Sequence, residues 1–121
     1  FPMALGYTRT EPKKDVIAAV GYLGSEIVGV AGANDDCETM WQVGIDVLPT
    51  FRGRGYARAL VDTLTREIMR LGKVPFYCTA WSNIASKRTA ISCGYRDAWV
   101  ELSVKENAFT EKMIHHSEDN R

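Results

Sequence analysis

Apolar positions alternate with polar or small ones early in the chain and switch to a helical period in its middle. Asp15–Leu23, with Val16, Ile17, Val20 and Tyr22, and residues 26–32, with Ile27, Val28 and Val30, predict two strands joined at Gly24-Ser25 as a hairpin. Residues 33–36 read as a loop, and residues 39–48 as a third strand stopped by Pro49. Over 54–71 the period changes: Leu60, Leu64, Ile68 and Leu71 recur at helical spacing, Val61 widens the stripe, and Arg58, Asp62, Arg66 and Arg70 face away. Gly72 is a natural C-terminal stop. Residues 74–81, carrying Phe76, Tyr77 and Trp81, predict a fourth strand. A shorter helix follows over 83–93, ended by Gly94, and a last strand over 98–104. Residues 1–14, with Pro2 and Pro12, read as an irregular lead-in, and the chain from Lys105 as a polar tail.

The order strand–strand–strand–helix–strand–helix–strand predicts a mixed α/β fold, a largely antiparallel sheet with flanking helices. The 121 residues are enough for one core and too few for two typical domains, so a single domain with its core at about 15–104 is expected. Formal net charge is zero and the pI near 6.9, which gives no global electrostatic case for nucleic acid or a membrane surface. Cys37, Cys78 and Cys93 are odd in number and lack Cys-x-x-Cys spacing, which argues against a disulfide scaffold or zinc site and for a reducing, cytoplasmic setting. No apolar stretch approaches the roughly 20 residues that span a bilayer. Residues 1–15 hold two prolines and five charges, unlike a signal peptide; the chain opens on Phe1 rather than Met, and two readings stand, a fragment of a longer protein or a chain whose residues 1–14 replace the expected opening segment.

The segment Gly44-Ile45-Asp46-Val47-Leu48-Pro49-Thr50-Phe51-Arg52-Gly53-Arg54-Gly55-Tyr56-Ala57 changes the picture most. Strand, glycine-rich turn and helix, in that order, build an anion site. Glycines let backbone N–H groups turn inward, and a helix N-terminus adds roughly half a positive charge. Arg52 and Arg54 supply full charges able to reach phosphate oxygens, so a di- or polyphosphate ligand is expected. The alternative is a plain helix start with two solvated arginines. A Walker string is absent from the chain. A dinucleotide fingerprint counted from Gly53 fails at its sixth position, Arg58, which is too bulky for close helix–strand packing.

What fits is Arg52-x-x-Gly55-x-Ala57 placed after Val47-Leu48-Pro49, a string that resembles the acetyl-CoA-binding motif of the GNAT superfamily of N-acyltransferases. A second stretch, from Asn83-Ile84-Ala85-Ser86 to Gly94-Tyr95, is similar to the segment in which the family's Asn meets the pantetheine arm of the coenzyme. The resemblance covers about residues 15–104, from the family's second strand onward, so the fold is expected to be GNAT-like and N-terminally incomplete. It implies coenzyme contacts from Ile45 and Val47, whose backbone N–H groups would polarise the thioester and hold pantetheine amides. It also implies contacts from Arg52, Gly53, Arg54, Gly55, Tyr56 and Ala57 in the loop, and from Asn83 and Ser86. Asn83 reads equally well as a helix N-cap, a role for which Ser82 competes. Lys87 and Arg88 read as solvated, and Tyr95 as a core aromatic.

Acid–base residues are where the chain departs from the family. An acceptor ammonium must lose a proton, and Glu38 and Asp46 are the candidate catalytic carboxylates. Glu38 sits near the start of the third strand, though family spacing puts that base nearer Trp41 or Gln42. Asp46 lies on the strand face opposite Trp41, Val43, Ile45 and Val47 and would serve equally as a structural hydrogen-bond partner. Where many relatives carry a Tyr to protonate the departing thiolate, this chain has Ala90; Thr89, Ser92 and Cys93 are poor substitutes. Cys78 has no nearby His and reads as a small buried hydrophobe. His115 and His116 occupy the tail without an identifiable third metal ligand, so no metal is expected.

The resemblance implies an N-acetyltransferase that moves an acetyl or short acyl group from acetyl-CoA to a small-molecule or protein amine. Other classes are a non-catalytic acyl-CoA-binding module and an interaction domain completed by another chain. The missing first strand leaves the 15–32 hairpin with an open edge, which a homodimer or a missing N-terminal segment is expected to complete.

Overall fold

The structure, a computed structural model, describes residues 15–35, 37–102 and 104. The expected lead-in over 1–14 and the tail from Lys105, with His115 and His116, lie outside the described residues. The chain divides into two compact units, one through Cys78 and one from Thr79.

The first unit is a four-stranded sheet in the order β1-β2-β3-β4 with one long helix, α1. β1 (Asp15–Leu23) and β2 (Glu26–Asn34) pair antiparallel through the turn at Gly24-Ser25, as the alternation predicts. β2 runs two residues past its expected end, because Ala33 and Asn34 remain in register with Val43 and Gln42 of β3 (Met40–Val47). A single 3-10 turn over Pro49–Phe51 follows, then α1 (Tyr56–Arg70) and β4 (Val74–Tyr77), which returns parallel to β3. β1 is one edge of the sheet, with β2 its strand partner among the described residues.

Helix α1 packs across all four strands, and the helical stripe explains how. Leu60, Val61, Leu64, Thr65 and Ile68 are buried, while Leu71, expected to extend the stripe, is exposed beyond the helix end. Beneath α1, β2 presents small residues: Ala31 and Ala33 are fully buried, and a Cβ placed on Gly29 would lie 3.0 Å from Val47 Cγ2 and 3.1 Å from Leu60 Cδ1. Removing side-chain bulk at this row brings the helix down onto the strand, where dispersion contacts are strongest. The outer face of α1 carries the ion pairs Arg66–Asp62 and Arg70–Glu67; the guanidinium of Arg70 holds the exposed Glu67 carboxyl below the usual carboxylate range. A Schellman pair closes the helix: Gly72 N–H donates to Met69 O at 3.0 Å and Lys73 N–H to Ile68 O at 3.1 Å.

The second unit contains α2 (Ile84–Ser92), which ends by the same device, with Tyr95 N–H donating to Ala90 O at 3.1 Å. The last strand expected over 98–104 does not form among the described residues. Residues 98–102 and 104 carry no regular structure, and Trp99, Val100, Leu102 and Val104 are exposed. An alternating apolar pattern becomes a strand only where a neighbour accepts its ladder bonds, and among the described residues none does. The fourth strand also stops short of the expected Trp81, at Tyr77. Cys78 therefore lies just past the strand and is exposed, correcting the expectation that it is buried.

Ile68→Ala should cost about 2–5 kcal/mol and Gly29→Ala about 1–3 kcal/mol, the one by cavity and the other by overpacking. Met69→Ala, on the exposed side of the same helix, should stay within about 0.5 kcal/mol in urea denaturation.

Candidate functional site

Two hydrogen bonds fix the direction of every peptide group in β3. Leu48 N–H donates to Val28 O at 2.9 Å, and Val74 N–H donates to Thr39 O at 2.8 Å. Backbone groups alternate sides along a strand. The N–H and C=O of Gln42, Gly44, Asp46 and Leu48 therefore face β2, and those of Trp41, Val43, Ile45 and Val47 face the β4 side. The same alternation turns Pro75, which has no N–H, to the outer edge, where a ladder donor is not needed.

Pairing between β3 and β4 runs from Met40↔Val74 to Val43↔Tyr77 and then ends, while β3 stays paired to β2 through Val47↔Gly29. From Gly44 to Val47, β3 has a strand on one side only among the described residues. The N–H groups of Ile45 and Val47 face that open side, the two positions from which the resemblance implies carbonyl-binding donors.

The chain then enters α1 through a loop that leaves its own donors unused. Gly55 is the N-cap residue, at φ 83°, with no capping side chain, and the first turn of the helix holds no acid. The cap needs glycine because a left-handed φ strains any other L-residue there. Gly53 shares this conformation at φ 76°, and a Cβ at either glycine would meet nothing within 4 Å. Among the described residues the backbone bonds of this region stop at Arg52 N–H to Pro49 O and resume at Ala59 N–H to Gly55 O. The N–H groups of Gly53 to Ala57 thus have no backbone acceptor among the described residues, at the positive end of a fifteen-residue helix.

Local packing holds the loop's shape. The rings of Phe51 and Tyr56 meet edge to face at 6.3 Å, and the Arg54 guanidinium lies 5.8 Å over the Phe51 ring. Arg54 is exposed. Arg52 turns the other way: its Nε–H donates to Val47 O at 2.9 Å, and its Nη2 lies 3.9 Å from Asp46 Oδ1. Neither the ring brace nor this link was legible in residue spacing, since both depend on which way the turn folds back.

The candidate carboxylates separate. Asp46 sits at the open end of β3 beside Arg52. Glu38 is exposed in the turn before β3, and Met40 to Ile45 alone spans about 17 Å of extended strand, so Glu38 lies out of hydrogen-bond reach of a group held at Ile45. In the second unit Asn83 is the N-cap of α2, its Oδ1 accepting from Ser86 N–H at 3.1 Å, which decides between Asn83 and Ser82 for that role. Lys87 is exposed and lies 3.6 Å from Asp97. Among the described residues no group of three or more His, Cys, Asp or Glu could hold a metal ion, and no helix is long and apolar enough to cross a membrane.

Residues 35–104 match the family described as FR47-like protein, more than half of the chain. The chain belongs to the FR47-like family. Solved structures extend this FR47-like match to the fold. The aminoglycoside N-acetyltransferase AAC(6')-Iy, in complex with the bisubstrate analog CoA-S-monomethyl-acetylneamine, is similar at TM-score 0.62 and 21% identity over 74% of this chain and 68% of its own. Ribosomal-protein-alanine N-acetyltransferase from Brucella melitensis biovar Abortus 2308 is similar at TM-score 0.62 and 19% identity, over 74% and 70%. The aminoglycoside acetyltransferase meta-AAC0020 from an uncultured soil metagenomic sample, in complex with sisomicin, follows at TM-score 0.60 and 14% identity, over 74% and 65%. The chain thus spans about two thirds of the length of these acetyltransferases. No protein of curated function matches it. The expected GNAT fold, a mixed α/β sheet with flanking helices, is the fold of this FR47-like chain.

Gly55→Ala in the FR47-like loop should lower stability by about 1 kcal/mol through the left-handed cap alone. Asn83→Ala should lower it by about 0.5–2 kcal/mol through loss of the α2 cap. Thermal unfolding followed by circular dichroism checks both.

Proposed function

We propose that this FR47-like chain binds coenzyme A and carries an acyl group from its thioester to an amine. The observation that carries the reading is two sets of backbone donors, one on the strand and one on the loop that follows it. Ile45 and Val47 offer N–H groups along the open side of β3, and Gly53 to Ala57 offer more at the uncapped start of α1. The strand donors suit a thioester carbonyl and pantetheine amides, and the loop donors with Arg54 suit a pyrophosphate. The open space above Gly53 and Gly55 and the absence of an acid in the first turn fit an anion there. Asn83 and Ser86 belong to the proposal only as the family resemblance supplies them.

The reaction class is direct attack. The amine nitrogen forms a bond to the thioester carbonyl carbon, the carbon–sulfur bond breaks, and coenzyme A leaves as the thiol, taking up the proton that the amine gives up. Backbone donors stabilise the negative charge that grows on the carbonyl oxygen, and holding both reactants in line supplies much of the remaining acceleration. Asp46 lies in sequence between the two strand donors, Ile45 and Val47, with Arg52 beside it. Acceptors of the two kinds carried by the similar structures, aminoglycosides and a protein's alanine amine, are the first to try.

A second reading, a coenzyme-binding module without turnover, draws on the acid–base apparatus. Glu38 is out of hydrogen-bond reach of the strand donors, and Ala90 stands where relatives carry the acid Tyr.

Calorimetric titration with coenzyme A tests the binding claim. Gly55→Val should abolish measurable binding, since a branched side chain would fill the donor-lined space, while Arg54→Ala should cost about 1 kcal/mol or less. Wild-type affinity for Gly55→Val would contradict the assignment. Thiol release from acetyl-CoA with an amine panel then separates the two readings. In an active enzyme, Asp46→Asn should lower turnover more than it lowers coenzyme affinity.

A further inference from the structure

We infer that Arg52 is a positioning residue: it braces the last peptide group of β3 against the loop rather than binding phosphate. The inference rests on the coenzyme-binding reading and changes the role that the motif implies for its first residue.

The geometry centres on one peptide group. The Val47 C=O and the Leu48 N–H belong to the same rigid plane. Its N–H donates to Val28 O at 2.9 Å, and its C=O accepts from Arg52 Nε at 2.9 Å. The plane is therefore held from both sides, by β2 on one and by Arg52 on the other. Without Arg52 the carbonyl would face the side where β4 has already ended, with no strand among the described residues to meet it. Hydrogen bonds with a charged donor are among the stronger ones, and this one closes the five-residue step from Val47 to Arg52 that sets the loop's exit.

The environment of the guanidinium points the same way. The Arg52 side chain is 17% exposed and that of Asp46 13%, so the two charges share a mostly covered position. At 3.9 Å the Asp46 carboxylate compensates the charge more than it directs a bond, which leaves the Val47 carbonyl as the specific partner. Arg54 shows the contrast. Its guanidinium is exposed over Phe51, where swinging away forfeits only a weak cation–π contact. The loop thus divides labour between its arginines: Arg52 fixes where the strand ends and the loop departs, and Arg54 is left to meet an anion. Because Val47 also carries one of the outward N–H groups, the brace should be felt by a ligand that lies along the strand and never touches the loop.

Two ligands and three variants separate brace from phosphate contact. Coenzyme A carries phosphates; pantetheine carries none. Titrated by calorimetry or NMR, Arg52→Met, which has no donor, should weaken both by a similar factor, about five- to tenfold. Arg54→Gln should weaken coenzyme A alone. Arg52→Gln places an amide N–H where Arg has its Nε–H but carries no charge, so it should restore most of the pantetheine affinity that Arg52→Met loses. Loss confined to coenzyme A in Arg52→Met, or failure of Arg52→Gln to restore pantetheine binding, would overturn the brace, as would unchanged binding of both ligands in Arg52→Met. The wild-type chain gives a readout that needs no variant to fold and no ligand to bind. The Arg52 Nε–H resonance should exchange slowly and show scalar coupling to the Val47 carbonyl carbon; a rapidly exchanging signal without that coupling would overturn the inference. Wild-type protein that shows the coupling but binds neither ligand would instead contradict the coenzyme reading and leave the brace standing.

Discussion

A backbone N–H that faces no acceptor must find one, and that requirement organises this molecule. β3 is paired to β2 from Gln42 to Val47 but to β4 only from Met40 to Val43, so Ile45 and Val47 direct donors to a side where the sheet has opened. A few residues later the loop sets the donors of Gly53 to Ala57 at the start of α1 with no capping side chain. Folded proteins seldom leave such groups without a partner, and where they do, water or a ligand completes the set. The rest of the first unit serves to hold this arrangement. Small residues in β2 let α1 lie close to the sheet, and the buried stripe of α1 fixes the helix whose N-terminus faces the loop.

Much of this was legible in sequence because it depends on local periodicity. The alternation in β1 and β2, the helical stripe from Leu60 to Ile68, and Pro49 as a stop each follow from neighbours a few positions apart. The donor loop was legible for the same reason, since Gly53 and Gly55 hold the left-handed conformations that their spacing between two arginines suggests. The failures share another cause. Residues 98–104 alternate like a strand, yet the described ones, 98–102 and 104, form none, because a strand depends on a distant partner that periodicity cannot supply. Cys78 was expected inside β4, but that strand stops at Tyr77. The turning of Arg52 toward Val47 is also a tertiary fact: sequence gives its charge but not its direction.

The separation of Glu38 from Asp46 narrows the chemistry. Along a strand, distance grows by about 3.3 Å per residue, so a carboxylate before Met40 cannot hydrogen-bond directly to a carbonyl bound near Ile45. If the chain turns over acyl-coenzyme A, proton removal from the acceptor falls to Asp46, to water, to Glu38 acting through water, or to the acceptor's own equilibrium with its neutral amine. Each is compatible with a reaction in which orientation and backbone electrostatics lower most of the barrier.

The central claim is that the strand donors and the loop donors act on one ligand. Amide chemical shifts recorded while coenzyme A is added test it directly, because they report each N–H separately. The account predicts that Ile45, Val47 and Gly53 through Ala57 shift together along a single binding isotherm, with the amides that face β2, such as Gly44 and Asp46, moving far less. Shifts confined to the loop, or centred on another part of the chain, would contradict it.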